Sequence, residues 1–165
     1  MMVCRGEAPL FVVLGDDLRT GGVTRRAMEA KVAELGLSSR FVFLGFRRDA
    51  PRVVQAFDVI AVPSHVEPLG NATLEAMAAG VPPIVTRVGA IPDVVTEGVH
   101  GLFVRAHDPV AISHAIQALD ADRELLARMG AACRKRVSGA YSLERLASDF
   151  YRPYSGSGGM KRMPV

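Results

Sequence analysis

The chain has 165 residues, 49% apolar and 22% charged, which fits one compact domain with a real core and leaves little room for two. Its net charge of +3, from 20 basic and 17 acidic residues, is small and spread along the chain; it does not argue for nucleic acid and suits an anionic small ligand equally well. No stretch reaches the roughly 20 apolar residues of a membrane helix, Met1 to Pro9 lacks the apolar centre of a signal peptide, and Cys4 and Cys133 give neither metal-ligand spacing nor a disulfide framework, so a reducing cytoplasmic setting is expected.

Short apolar runs alternate with longer amphipathic ones, the pattern of parallel strands linked by helices. Residues 1–9 read as a lead-in, disordered or truncated, to a domain over 10–152. Leu10 to Leu14 is the first strand. Thr24 to Leu35 reads as an amphipathic helix with Gly36 at its C-terminal cap. Then come a strand at Phe41 to Leu44, a short helix at Pro51 to Ala56 and a strand at Asp58 to Val62. A helix at Asn71 to Ala79 is closed by Gly80, and a strand runs from Pro83 to Val88. Ile91 to Thr96 is a turn or two of helix with Pro92 near its start. After a strand at Leu102 to Val104, helices follow at Pro109 to Leu119 and Arg123 to Val137. Ser142 caps a last helix, Leu143 to Tyr151, with Glu144 in its first turn. The Gly- and Ser-rich tail, 153–165, reads as disordered. Strands apolar on both faces are expected where helices cover both sides of a sheet. The fold expected is a doubly wound, Rossmann-like parallel α/β sheet.

The informative stretch runs from Asp58 to Gly89. A strand ends near Val62, a loop spans Ser64 to Gly70, and a helix opens at Asn71. In an open α/β sheet the ligand crevice lies beyond the carboxyl ends of the strands, which is where this loop falls. Gly70, Asn71 and Ala72 stand at the helix start, where free N–H groups and the positive dipole end favour phosphate. Glu75 lies about one turn in, with a side chain leaning back toward that tip. Its two oxygens suit a pair of neighbouring hydroxyls such as a ribose diol. Glu67, in the loop, can reach the same crevice. Sugar, diphosphate and ribose occur in that order along a nucleotide-sugar, and Glu67, the helix tip and Glu75 could meet them in that order.

These residues resemble a known pattern. Glu67-Pro68-Leu69-Gly70-Asn71-Ala72-Thr73-Leu74-Glu75, followed by Ala76 to Pro82, resembles the E-x7-E motif of family 4 (group 1) glycosyltransferases. Gly15-Asp16 after the first strand, Phe41 to Gly45, Asp58 to Ser64, Gly89 to Val95 and Gly98 to Val104 resemble further signposts of that family, from about Leu10 to Tyr151. The resemblance implies the C-terminal, donor-binding domain of a two-domain GT-B enzyme. Such an enzyme transfers a sugar, here a hexose-type one, from a nucleotide diphosphate donor to an acceptor with retention of configuration, without a bound metal or cofactor. It implies Glu67 near the reacting sugar as the catalytic residue and Glu75 on the ribose. Backbone at Leu69, Gly70, Asn71 and Ala72 would hold sugar hydroxyls and diphosphate, and backbone at Gly45 and Phe46 the base. Gly15 and His65 complete the donor-contact candidates.

Two parts of the family pattern are absent. The N-terminal acceptor domain has no room here, and neither has the opening strand of the donor domain with its diphosphate-clamping Arg and Lys. In the strand order 3-2-1-4-5-6 that missing strand is the central one, so Leu10 to Leu14 and Asp58 to Val62 would each expose an edge. The chain is therefore expected to be marginal, to close the gap, or to recruit a strand, and to be inactive alone. The alternative is a non-catalytic domain that binds a nucleotide-sugar or a protein and remained after loss of the acceptor domain.

Other readings of single residues stay open. Asn71 could cap its helix. Asp16 and Asp17 could bind a metal or cap the following turn, the second being preferred. Thr86 and Arg87 could approach the crevice or serve their loop. His100, His107 and His114 show no partner spacing. Nucleotide, sugar, acceptor and membrane association are not readable.

Overall fold

The computed structural model describes residues 2–3, 9–17, 20–142, 144–145, 147–148 and 151. Its strands are β1 (Met2–Val3), β2 (Leu10–Leu14), β3 (Phe41–Gly45), β4 (Ile60–Val62), β5 (Pro83–Thr86) and β6 (Leu102–Val104). Its helices are α1 (Val23–Glu34), α2 (Ala50–Val54), α3 (Asn71–Ala79), α4 (Ile91–Val94), α5 (Pro109–Ala121) and α6 (Arg123–Ala140). The tail read over 153–165 lies outside the described residues. The last helix is described in part: residues 144–145, 147–148 and 151 are helical, and the Arg145 N–H donates to Ser142 Oγ at 3.2 Å.

The strands form two three-stranded sheets, ordered β1-β2-β3 and β4-β5-β6. The pairs β2–β3, β4–β5 and β5–β6 are parallel; β1 runs antiparallel, Met2 opposite Phe11 and Val3 opposite Leu10. The break falls between β2 and β4, the two strands expected to flank the absent central one. Residues 2–3, inside the segment read as a lead-in, pair with the free edge of β2. Part of that edge is thus covered by two antiparallel residues of the same chain, from the segment expected to be disordered or truncated.

Helices cover both faces of the second sheet. All four residues of β5 are buried, and successive ones point to opposite sides. Ile84 packs with Val104, Ala115, Leu119, Leu126 and Met129, toward α5 and the start of α6. Val85 packs with Met77, Ile91, Val94, Val95 and Cys133, toward α3, α4 and the later turns of α6. A third cluster bridges the two sheets, joining Val12 of β2 and Ile60 of β4 to Val54, Phe57, Ala76 and Val81.

The punctuation of the sequence sets these elements. Gly36 adopts φ 68° after α1, and Leu37 N–H bonds Val32 C=O at 2.9 Å, the six-to-one closure of a left-handed helix stop. Asp108 and Asp122 cap α5 and α6 by accepting from Ala111 N–H at 2.9 Å and Leu125 N–H at 2.7 Å. The amphipathic reading of α1 is corrected. None of its residues is buried; Val23 and Met28 are 58% and 40% exposed. Its half-buried residues are Arg25, Glu29 and Val32, a stripe with two charged side chains that offers little apolar area to hold it on a core, while Ala27, Ala30 and Ala33 are exposed. Helix α4 ends at Val94 and not at Thr96, because Val95 is already extended and buried.

Candidate functional site

The carboxyl ends of β2 and β3 open on one crevice, which Ile60 at the start of β4 also lines. The N–H of Gly15, just past β2, donates to the carbonyl of Gly45 at the end of β3, 3.0 Å away, so the two strand ends are pinned together. Gly15 and Gly45 have φ of 121° and 65°, conformations that glycine supplies. From there the wall continues through Phe46 and Arg47, and across to the first turn of α3.

The cavity beside that turn has about 210 Å³. It is lined by Leu14, Gly15, Phe46, Arg47, Ala50, Val54, Ile60, Ala72 and Glu75. Four of the sequence-derived candidates, Gly15, Phe46, Ala72 and Glu75, are brought together here. Gly45 lines a neighbouring cavity of about 270 Å³, between α1 and the ends of β2 and β3, which shares Leu14 and Gly15 with the first.

Helix α3 begins from Gly70, buried and left-handed at φ 79°, with no side chain capping the helix. A β-carbon on Gly70 would come 2.5 Å from Ile91 Cδ1, so packing as well as conformation requires glycine. Asn71 is the first helical residue and not the cap; its side chain and that of Ala72 are exposed. Glu67, half-buried in the loop, accepts from the Gly70 N–H through Oε1 at 2.9 Å. Glu67 is folded against the tip of α3 and does not line the Glu75 cavity, whereas Glu75 stands in the middle of the helix on that cavity's wall. Leu69 is 57% exposed beside them.

His65 does not line the Glu75 cavity. Its ring stacks on that of His107, centroids 3.9 Å apart and planes 20° apart, tying the loop after β4 to the loop after β6. His107 is the described non-glycine residue with positive φ, 58°. Nothing in the spacing of these two histidines announces the stack. Thr86 turns inward, donating from Oγ1 to the Ser64 carbonyl at 2.5 Å, and so fixes the start of the loop. Arg87 lies flat over Phe103, 3.9 Å from the ring centroid, and pairs with Glu97 at 3.5 Å. It lines a separate cavity of about 310 Å³.

Asp17 closes the turn before α1. It accepts from the Thr20 hydroxyl and from the N–H groups of Thr20 at 3.2 Å and Thr24 at 2.8 Å. The Thr20 hydroxyl, more than any other group, holds its carboxyl down at about 2. This is the capping role preferred above. Arg47 was missed by the sequence reading. It forks onto Asp49, Nε to Oδ1 at 2.7 Å and Nη2 to Oδ2 at 2.6 Å, which places a cation on the crevice wall. Its position directly after Phe46 was the available signal. Among the described residues, no group of three or more His, Cys, Asp or Glu side chains comes together as a metal site.

Parallel strands, helices on both faces of the second sheet and a crevice at strand ends define a Rossmann-like α/β domain. HepE of Anabaena, in a complex with UDP, superposes on 88% of this chain and 41% of its own with a TM-score of 0.84 at 24% identity, a likeness of fold. Sucrose-phosphate synthase from Thermosynechococcus elongatus covers 87% of this chain and 37% of its own, TM-score 0.79, at 33% identity. The family described as Glycosyl transferases group 1 matches residues 4–136, and the chain belongs to it. The D-inositol 3-phosphate glycosyltransferase of Nocardia farcinica is 33% identical over 155 residues, 92% of this chain. This chain spans 34% of that relative's length. Among the described residues no helix is long and apolar enough to cross a membrane.

Proposed function

We propose that this chain is the nucleotide-sugar-binding half of a retaining glycosyltransferase, one that transfers a hexose-type sugar to an acceptor held by a separate N-terminal half. The observation that carries the reading is the tip of α3. The capping position, Gly70, has no side chain, its own N–H goes to Glu67, and Ala72 in the first turn and Glu75 one turn further form the wall of a cavity shared with Gly15, Phe46 and Arg47. The uncapped N–H groups and the dipole take the diphosphate. Glu75 accepts from the ribose diol, and the base lies along Gly45 and Phe46. Glu67, with Oε1 engaged by Gly70, turns its other oxygen to the donor sugar. No metal takes part in this grip. The UDP complexes of HepE and the partial span of the relatives support a UDP-type donor and a missing acceptor half.

Titration calorimetry with UDP, UDP-glucose and GDP tests the donor site. Glu75→Gln is expected to weaken UDP binding about 10- to 100-fold, the worth of hydrogen bonds to a charged group, and excess EDTA to leave it unchanged. No binding, or equal binding by wild type and Glu75→Gln, sinks the donor reading. The chain alone transfers no sugar, and mixing with an N-terminal half restores transfer. Transfer by the unaided chain contradicts the division of labour.

A further inference from the structure

We infer that the cleft at the carboxyl ends of β5 and β6 is a phosphate site, in which Arg87 and Arg105 grip one phosphate dianion, free or carried as a monoester by a small molecule. The inference does not rest on the donor reading: this cleft shares no lining residue with the cavity of Glu75.

Thr86 stands opposite Val104 in the parallel register of β5 and β6, so Arg87 and Arg105 are the next residues in line as the two strands end. Both line one cavity of about 310 Å³, together with Val88, Phe103 and Ala106. Like charges side by side on neighbouring strands repel. The acids nearby do little to offset this, because each is committed to backbone. Glu97 Oε2 accepts the Phe103 N–H at 2.9 Å and meets Arg87 Nη2 only at 3.5 Å. Asp108 Oδ1 accepts the Ala111 N–H at 2.9 Å as the cap of α5, and Oδ2 meets Arg105 Nη2 only at 3.4 Å. The two arginine side chains are 61% and 90% exposed, and ion pairs in such surroundings contribute little. Among the described residues neither guanidinium makes a hydrogen bond. Arg47 is the contrast, since both arms of its fork already close on Asp49.

Arg87 is set in advance for an anion. Its guanidinium lies flat on the Phe103 ring, 3.9 Å from the centroid, which fixes the plane and leaves N–H groups free along its edge. Arg105 supplies the second fork from the neighbouring strand end. The pair selects its ligand by charge and shape. A carboxylate has two oxygens, which a single guanidinium fork fills. A phosphate dianion offers oxygens to two forks at once and matches two cations in charge. The face of Phe103 under Arg87 is taken, which disfavours a stacked base.

The test titrates the full chain at pH 7.5 with inorganic phosphate and with glycerol 3-phosphate. NMR follows the Nε–H groups of Arg87 and Arg105 and the Ala106 amide, while the Ala72 amide reports on the tip of α3. Both ligands are expected to shift the Arg87, Arg105 and Ala106 signals saturably, and acetate at equal concentration is expected not to. Tighter binding of glycerol 3-phosphate would assign the site to an ester, and tighter binding of inorganic phosphate to the free ion; either outcome supports the shared chemistry. Arg105→Gln, at a position too exposed to disturb folding, is expected to weaken binding about tenfold or more, the worth of hydrogen bonds to a charged group. Shifts confined to Ala72, equal binding by wild type and Arg105→Gln, or acetate binding as tightly as phosphate would each overturn the proposal. UDP affinity is measured in parallel. Glu75→Gln is expected to weaken UDP binding and to leave the phosphate shifts unchanged, so failure of the phosphate site and failure of the donor site are read separately.

Discussion

Gly89 lies against the carbonyl oxygen of Glu67 so closely that a β-carbon on Gly89 would stand 1.8 Å from it. The loop that carries the first motif glutamate thus rests directly on the backbone beyond β5. The bond from Thr86 to the Ser64 carbonyl anchors the same loop at its other end. The backbone at Glu67 is therefore positioned from the fully buried strand β5, while its carboxylate is held within the loop by the Gly70 N–H.

Gly89→Ala is accordingly expected to be severe. The φ of 52° disfavours any side chain, and the clash forces the Glu67 loop to move. The combined cost is about 2–4 kcal/mol. Gly98→Ala is the control, because Gly98 has φ 72° but nothing within 4 Å of the added carbon. It should lose only about 1–2 kcal/mol. Urea denaturation of both variants decides the matter; equal losses would mean that the contact with Glu67 is easily relieved.

Thr73 presents the opposite case. It is fully buried in the first turn of α3, and its Oγ1 has no hydrogen-bond partner among the described residues. A buried hydroxyl without a partner costs about 1–3 kcal/mol, and valine replaces it with a methyl group of the same shape. Thr73→Val should therefore raise stability by about 1 kcal/mol, read as a shift of the urea midpoint at constant slope. A lowered midpoint would show that the hydroxyl has a partner in solution.

The sequence carried the parts of this fold that depend on local punctuation. Glycine and proline bound the short apolar runs, which is why β2, β3, β5, β6 and α3 fall within a few residues of the sequence reading. The break between β2 and β4 was legible too, because strand order in a doubly wound sheet makes a missing first strand a missing centre. What depended on three-dimensional approach was not legible. The bond from Gly70 to Glu67, the stack of His65 on His107 and the place of Arg47 on the crevice wall arise from how loops on different strands meet. The bareness of α1 was not legible because the stripe it turns inward carries Arg25 and Glu29 beside Val32, while its alanines are exposed.

Cys133 should be inert in the folded chain. It is fully buried, its Sγ–H donates to the His100 carbonyl at 3.0 Å, and burial pushes its thiol up to about 12. Since the thiolate is the reactive form, iodoacetamide at pH 8 should leave Cys133 unmodified in native protein and alkylate it in urea, as peptide mass spectrometry would report. Rapid labelling of native protein would contradict this burial.

Stability should fall in two separate steps on acidification. His100 is buried, and Nδ1 accepts the Thr96 N–H at 3.0 Å, an arrangement that needs that nitrogen unprotonated. Burial first, and then the charge of Arg136, hold its pKa below the ordinary histidine value. The unfolded chain takes up the proton near pH 6.5, while the folded one resists. Stability is thus full above that pH and declines as pH drops through and below it. Asp17 acts in a lower window. Its folded pKa of about 2 lies under an unfolded value of about 3.9, so its contribution is present above pH 4 and is lost as pH falls toward 2. Urea titrations at pH 8, 6.5, 5.5 and 4.5 should show the first decline in wild type and a flatter profile in His100→Gln, whose side-chain oxygen can still accept from Thr96. Parallel profiles for the two proteins would assign the decline to other groups.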